Sequence, residues 1–143
     1  MKAEGNGIAK NVTQGVALFQ KACEARLAMG CSNLAGHYEQ GIGVTRDLKK
    51  AAELYRSACD GGNIPACYLT AFAYAGGAGV SRSFATAATY YEKACDGGVM
   101  PGCHHLAVLY QSGSGVPRDT NKARELRKRA CAGGLELACA ETR

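Results

Sequence analysis

Tryptophan is missing from this chain, and only three phenylalanines and three prolines occur among its 143 residues. A core built from such a set has to come from small residues, leucines and tyrosines, and a thin core of that kind needs cross-links or stacked neighbours. No apolar stretch reaches the roughly 18 residues that a membrane span requires, which excludes a transmembrane helix. The opening MKAEGNGIAKN also lacks the apolar h-region of a secretory signal. The expectation is either a cytosolic protein or one whose signal has been removed. Several enzyme signatures are absent as well: there is no H-E-x-x-H, no phosphate-binding P-loop and no G-x-G-x-x-G. With 47% hydrophobic and 20% charged residues, the chain is not a disordered tail, and its length suits one small domain.

What the chain does have is cysteine, eight in all, in a strict register. They fall at 23, 59, 95 and 131 and again at 31, 67, 103 and 139, so each series advances by 36 and the two are offset by 8. Other residues keep the same period: Asn11, Asp47, Ser83 and Asp119; Gly7, Gly43, Gly79 and Gly115; Ala22, Ala58, Ala94 and Ala130; Tyr38, Tyr74 and Tyr110. Self-similarity at this period marks a four-fold array.

Within one unit, Leu48, Ala51, Ala52, Leu54, Tyr55, Ala58 and Cys59 form an apolar stripe at helical spacing, opposite Lys49, Lys50, Glu53 and Arg56. The pattern predicts a helix over 48–60, capped by Asp47 and stopped by Gly61-Gly62; Asn11, Ser83 and Asp119 offer the same capping chemistry in register. A second helix is predicted from near Pro65, or Pro101 one unit later, running on in the first case to Gly76. Helix pairs this short cannot bury their apolar faces alone, so the expected fold is all-α, with about four 36-residue helix-turn-helix units stacked as a solenoid. The units are read as 7–42, 43–78, 79–114 and 115–143 within a single array over 1–143. Residues 3–11 align with the linker 39–47, so the chain is expected to open in a linker and, with its last helix stopping at Arg143, to be a trimmed array.

The unit A-A-x-L-Y-x-x-A-C-D-G-G-x-x-P-x-C, followed by L-A-x-x-Y-x-x-G-x-G-V-x-R-D (Leu106, Ala107, Tyr110, Gly113, Gly115, Val116, Arg118, Asp119), resembles Sel-1-like repeats. The C-x7-C spacing is similar to the cysteine-rich branch known as Helicobacter cysteine-rich proteins. The resemblance covers residues 7–143 and implies a right-handed α-α superhelix, similar in plan to tetratricopeptide arrays. Departures fall in the first unit, where Ala25-Arg26 replaces the Gly-Gly turn and Gly15 replaces a helix alanine, and at Thr70, where leucine is usual. Gly30 offers the first unit another place to bend.

Residues eight apart on one continuous helix lie about 12 Å apart, beyond the roughly 7 Å that a disulfide spans between α-carbons. A Gly-Gly turn folds the second helix back and brings Cys59 beside Cys67, with Cys95–Cys103, Cys131–Cys139 and, by register, Cys23–Cys31 as the companion pairs. Two alternatives stay open: reduced cysteines at tight helix crossings, and zinc, for which each unit supplies two thiolates without the C-x2-C spacing. Disulfides would place the protein in an oxidising compartment, periplasmic or secreted; reduced thiols would place it in the cytoplasm.

Members of the cysteine-rich branch have been described as penicillin-binding or β-lactam-hydrolysing, which is the alternative function that the resemblance brings. The six serines (32, 57, 81, 83, 112 and 114) are never followed by lysine three residues on, so the S-x-x-K nucleophile motif is lacking. No catalytic residue, metal site or cofactor is assigned. The adjacent His104 and His105 point about 100° apart on a helix, which argues against a shared metal. Arg124, Arg127, Lys128 and Arg129 make a basic helix, read as a solvated face since no nucleic-acid motif accompanies it. The function expected is a non-catalytic scaffold that takes a protein or peptide, a cell-envelope component included, in its concave groove. By the tetratricopeptide likeness the groove residues are Ser32, Asn33, Glu39 and Gln40, then Tyr68, Leu69 and Phe72, then His104, His105, Val108 and Gln111.

Overall fold

The structure is a computed structural model, and it describes residues 2–141. Eight helices follow one another among the described residues: α1 (Lys2–Glu24), α2 (Ala28–Gln40), α3 (Leu48–Asp60), α4 (Ile64–Gly76), α5 (Phe84–Asp96), α6 (Met100–Ser112), α7 (Thr120–Ala132) and α8 (Glu136–Glu141). Each packs on the next in sequence, so the chain is an α-solenoid of repeated hairpins.

The local chemistry recurs with the period. Asp47, Ser83 and Asp119 cap α3, α5 and α7, their side chains accepting from the backbone N–H of Lys50, Thr86 and Lys122 at 3.1, 3.2 and 3.0 Å. Asn63 does the same for α4, accepting from Ala66 N at 3.0 Å, with Pro65 in the first turn. Helices α2, α4 and α6 end on left-handed glycines, Gly41, Gly77 and Gly113, whose N–H groups bond back to His37, Ala73 and Leu109.

The core is thin and tight. Two alanine columns, Ala58, Ala94 and Ala130 on one helix type and Ala35, Ala71 and Ala107 on the other, are completely buried. Alanine there lets helix axes approach closely, so the seam between helices is won by proximity rather than by bulk. Thr70, the departure from the leucine pattern, is buried too; its hydroxyl donates to Ala66 O in the turn before it at 2.8 Å, which satisfies the polar atom.

All eight cysteines are bonded, as Cys23–Cys31, Cys59–Cys67, Cys95–Cys103 and Cys131–Cys139, with α-carbons 4.5 to 4.7 Å apart. Each bridge ties the end of one helix to the start of the next across its turn. Four such bridges fit an oxidising compartment.

The first unit departs from the sequence-based expectation. Residues 3–11 are not a linker: they belong to α1, and Asn11 lies inside that helix instead of capping it. The linkers between later units rest on an earlier helix, Gly43 against Val12 and Val16, and Gly115 against Phe84 and Ala85. In residues 3–11 the backbone is instead continuous with the rest of α1. Gly30 is likewise not a bend. It sits inside α2 against Ala22, in a space that a side chain would overfill, so its role is close helix crossing.

The turn itself is at Ala25-Arg26, and Arg26 adopts φ 64°, the one non-glycine with positive φ among the described residues. Its register partners Gly62, Gly98 and Gly134 have φ 98°, 93° and 102°. A side chain in the left-handed region costs about 1–2 kcal/mol, of which the greater freedom of unfolded glycine returns about 0.5–1 kcal/mol. Arg26→Gly is therefore expected to stabilise the protein by about 0.5–1 kcal/mol, read as a melting point about 2–4 °C higher. An unchanged or lower melting point would mean that the first turn owes its shape to something other than the left-handed residue.

Candidate functional site

The helices α2, α4 and α6 share one face of the solenoid, and their outward positions repeat in register: 32, 68 and 104; 33, 69 and 105; 36, 72 and 108. On α4 and α6 these positions hold large apolar or aromatic residues that remain open to solvent. Leu69 is 36% exposed, Phe72 57% and Val108 43%. Exposed apolar residues clustered in this way mark interaction sites more often than scattered ones do.

Beneath them the rings are layered. His105 stacks on Tyr91 of α5 with centroids 5.1 Å apart and an interplanar angle of 18°. It also meets Tyr68 at 5.7 Å, Phe72 edge-on at 6.2 Å and His104 at 5.6 Å. The Tyr68 hydroxyl lies 3.0 Å from His105 Nε2, a hydrogen bond that neutral imidazole accepts or donates according to its tautomer. Burial, with His104 adding to it, lowers the His105 pKa and so favours that neutral form. Burial also raises Tyr91, with Tyr68 adding to it, to about 12, so both phenols stay protonated at neutral pH. The patch offers apolar side chains, ring faces and one hydrogen-bonded phenol–imidazole pair.

Tyr68, Phe72, His104 and His105 are thus brought together, with Leu69 and Val108 on the same two helices. The other groove candidates are not part of this cluster. Asn33 and Gln40 line a shallow recess of about 210 Å³ with Gly36, His37 and Ile42. Gln111 accepts a hydrogen bond from Arg127 at 3.1 Å. Ser32 is half-buried and Glu39 exposed on α2. His37 is held locally, Nδ1 2.9 Å from Ile42 O and its ring 5.6 Å from Phe19.

Tyr91 is the member of the cluster that sequence reasoning missed. It lies on the amphipathic helix type, whereas the groove was sought only on its partner. A signal existed: Phe19, Tyr55 and Tyr91 recur at the period of 36, giving an aromatic under the face of each unit until Arg127 replaces it. Among the described residues no group of three His, Cys, Asp or Glu is close enough to hold a metal ion, and no helix is long and apolar enough to cross a membrane.

A family profile described as Sel1 repeat matches residues 1–27, 28–63, 64–99 and 101–135. Among solved structures, a protective antigen from uropathogenic Escherichia coli, c5321, displaying an SLR fold, is 32% identical with a TM-score of 0.88, over 92% of this chain and 28% of that one. A Sel1 repeat protein from Oxalobacter formigenes is 26% identical with a TM-score of 0.82, over 97% of this chain and 57% of that one. Cysteine rich protein B from Helicobacter pylori is 26% identical with a TM-score of 0.70, over 93% of this chain and 96% of that one. The chain therefore spans less than two thirds of the first two structures. No curated protein matches it.

Proposed function

The chain belongs to the Sel1 repeat family, and from that premise we propose that it is a non-catalytic, disulfide-stapled scaffold, a single array over 1–143, that binds a protein or peptide segment along α2, α4 and α6. The observation that supports this reading is the open apolar and aromatic cluster on α4 and α6, where Leu69, Phe72 and Val108 are exposed over the Tyr68–His105–Tyr91 layer. Rings fixed by one another lose little side-chain entropy when a ligand lands on them, and recognition surfaces spend aromatic residues in this way. Asn33 and Gln40, on the neighbouring α2, add amides that both donate to and accept from an extended backbone. The four disulfides support a periplasmic or secreted setting, where a cell-envelope protein is the partner to hand.

A displayed library of random peptides, panned on the oxidised protein, tests the site directly. Peptides enriched on the protein are expected to carry an apolar or aromatic anchor and to lose at least about tenfold in affinity for Phe72→Ser. Phe72 is largely exposed, so the variant should keep the melting point of the parent. Failure to enrich any peptide, or equal binding to Phe72→Ser, would overturn the reading.

A further inference from the structure

The Cys23–Cys31 bridge opens onto a recess of about 360 Å³, lined also by Arg26, Ala28, Ser57 and Asp60. It lies between the first hairpin and the second, so described residues form its walls on both sides. Three departures from the 36-residue register shape it. Ala28 stands where later units have Ile64 and Met100, which lie against Gly97 and Gly133. Ser57 stands where they have Lys93 and Arg129, and Arg129 reaches its neighbouring bridge to donate to Cys95 O at 3.4 Å. Two short side chains thus leave space at the first bridge where longer ones fill the seam. The third departure, Arg26 in place of Gly62 and Gly98, adds a guanidinium to the recess. Cys23 is half-buried, whereas Cys31 is 5% exposed, so Cys23 is the more open member of the pair.

The lining carries a definite chemistry. Arg26 brings a guanidinium, Asp60 a carboxylate and Ser57 a hydroxyl, a set that suits a small ligand bearing both an anionic and a cationic group. The volume falls within the range of small-ligand sites, about 300–1,000 Å³. Its remaining wall is a disulfide, whose characteristic reaction is exchange with a thiolate.

We propose that this recess is a site of reversible S-thiolation, in which Cys23 takes up a small zwitterionic thiol of the α-amino-acid class. The ligand's thiolate attacks Cys23 Sγ, a new S–S bond forms, the Cys23–Cys31 bond breaks, and its electron pair leaves on Cys31 Sγ, which then takes a proton. The ligand sulfur is oxidised to the disulfide level and the Cys31 sulfur is reduced, so no further oxidant or reductant enters. Helix geometry sets the direction. Cys31 stands at the start of α2, where a helix N-terminus favours a leaving thiolate, while Cys23 stands at the end of α1, where a thiolate is disfavoured. The ligand's carboxylate pairs with Arg26 and its ammonium group with Asp60. Return attack by Cys31 restores the bridge and releases the thiol.

The test mixes the oxidised full chain with limiting L-cysteine, quenches with acid, alkylates the freed thiols and maps the products by mass. A cysteinyl group is expected on Cys23 and the alkyl group on Cys31, formed at least about tenfold faster than any opening of Cys59–Cys67 or Cys95–Cys103. Ala28→Ile and Ala28→Met copy the later units and fill the recess, so each should keep the parent's melting curve and slow the reaction at least about tenfold. Arg26→Gly should slow L-cysteine about threefold, the range of an exposed ion pair, yet leave cysteamine, which has no carboxylate, at the parent's rate. No adduct on Cys23, or an adduct on Cys31 instead, overturns the proposal. So do Ala28 variants that react like the parent, or an Arg26→Gly variant that slows both thiols alike.

Discussion

Reduction of the four disulfides is expected to unfold the protein near room temperature. Each bridge closes a nine-residue loop, worth about 2–3 kcal/mol in the chain-entropy account. Four together approach roughly 10 kcal/mol, which is comparable with the whole stability of a typical domain, about 5–15 kcal/mol. Little else compensates, because the buried columns are alanines that contribute one methyl group each. The measurement is helical circular dichroism against temperature, with and without a strong reductant. A reduced protein that melts within a few degrees of the oxidised one would show that the stacking alone holds the fold. The bridges also differ in access: Cys59, Cys67, Cys95 and Cys103 are buried, whereas Cys23, Cys131 and Cys139 are half-buried. Under limited reductant the pairs Cys23–Cys31 and Cys131–Cys139 should be alkylated first.

Gly79→Ala is expected to cost roughly 3–4 kcal/mol, a large loss for one methyl group. Gly79 has φ +78°, and a β-carbon there would run into the carbonyl of Leu48 and lie 2.6 Å from Lys49 N. Left-handed strain accounts for about 1–2 kcal/mol, and overpacking against main chain that cannot turn aside for about 1–3 kcal/mol. Gly62→Ala separates the two, since Gly62 has φ +98° with nothing within 4 Å of its β-carbon position; only the strain should appear there. Urea midpoints for the pair would check it, and equal losses would mean that the seat on α3 is softer than the distances say.

Much of this architecture was legible in the chain. Helix bounds near Leu48–Asp60 and Ile64–Gly76 follow from Asp47, Pro65, the glycine pair and the apolar stripe, because caps and stops act within a few residues of themselves. The first unit was not legible for the opposite reason. Residues 3–11 look like a linker letter by letter, but a linker keeps its shape by resting on the helix before it, and that support is a tertiary fact. The groove was half legible: the outward positions of α4 and α6 follow from register, while Tyr91 enters the cluster only because α5 lies between those two helices in space.

The placement of the bridges also bears on how the chain acquires them. Eight thiols allow 105 pairings, yet each native partner is the next cysteine along the chain, separated by 8 residues. Closing so short a loop takes well under a microsecond, far faster than thiols oxidise. While oxidation proceeds, every cysteine of the 23, 59, 95 and 131 series therefore meets its mate far more often than it meets a thiol of another unit. Proximity along the chain does the sorting, and the protein should reach its four bridges with little call on an isomerase.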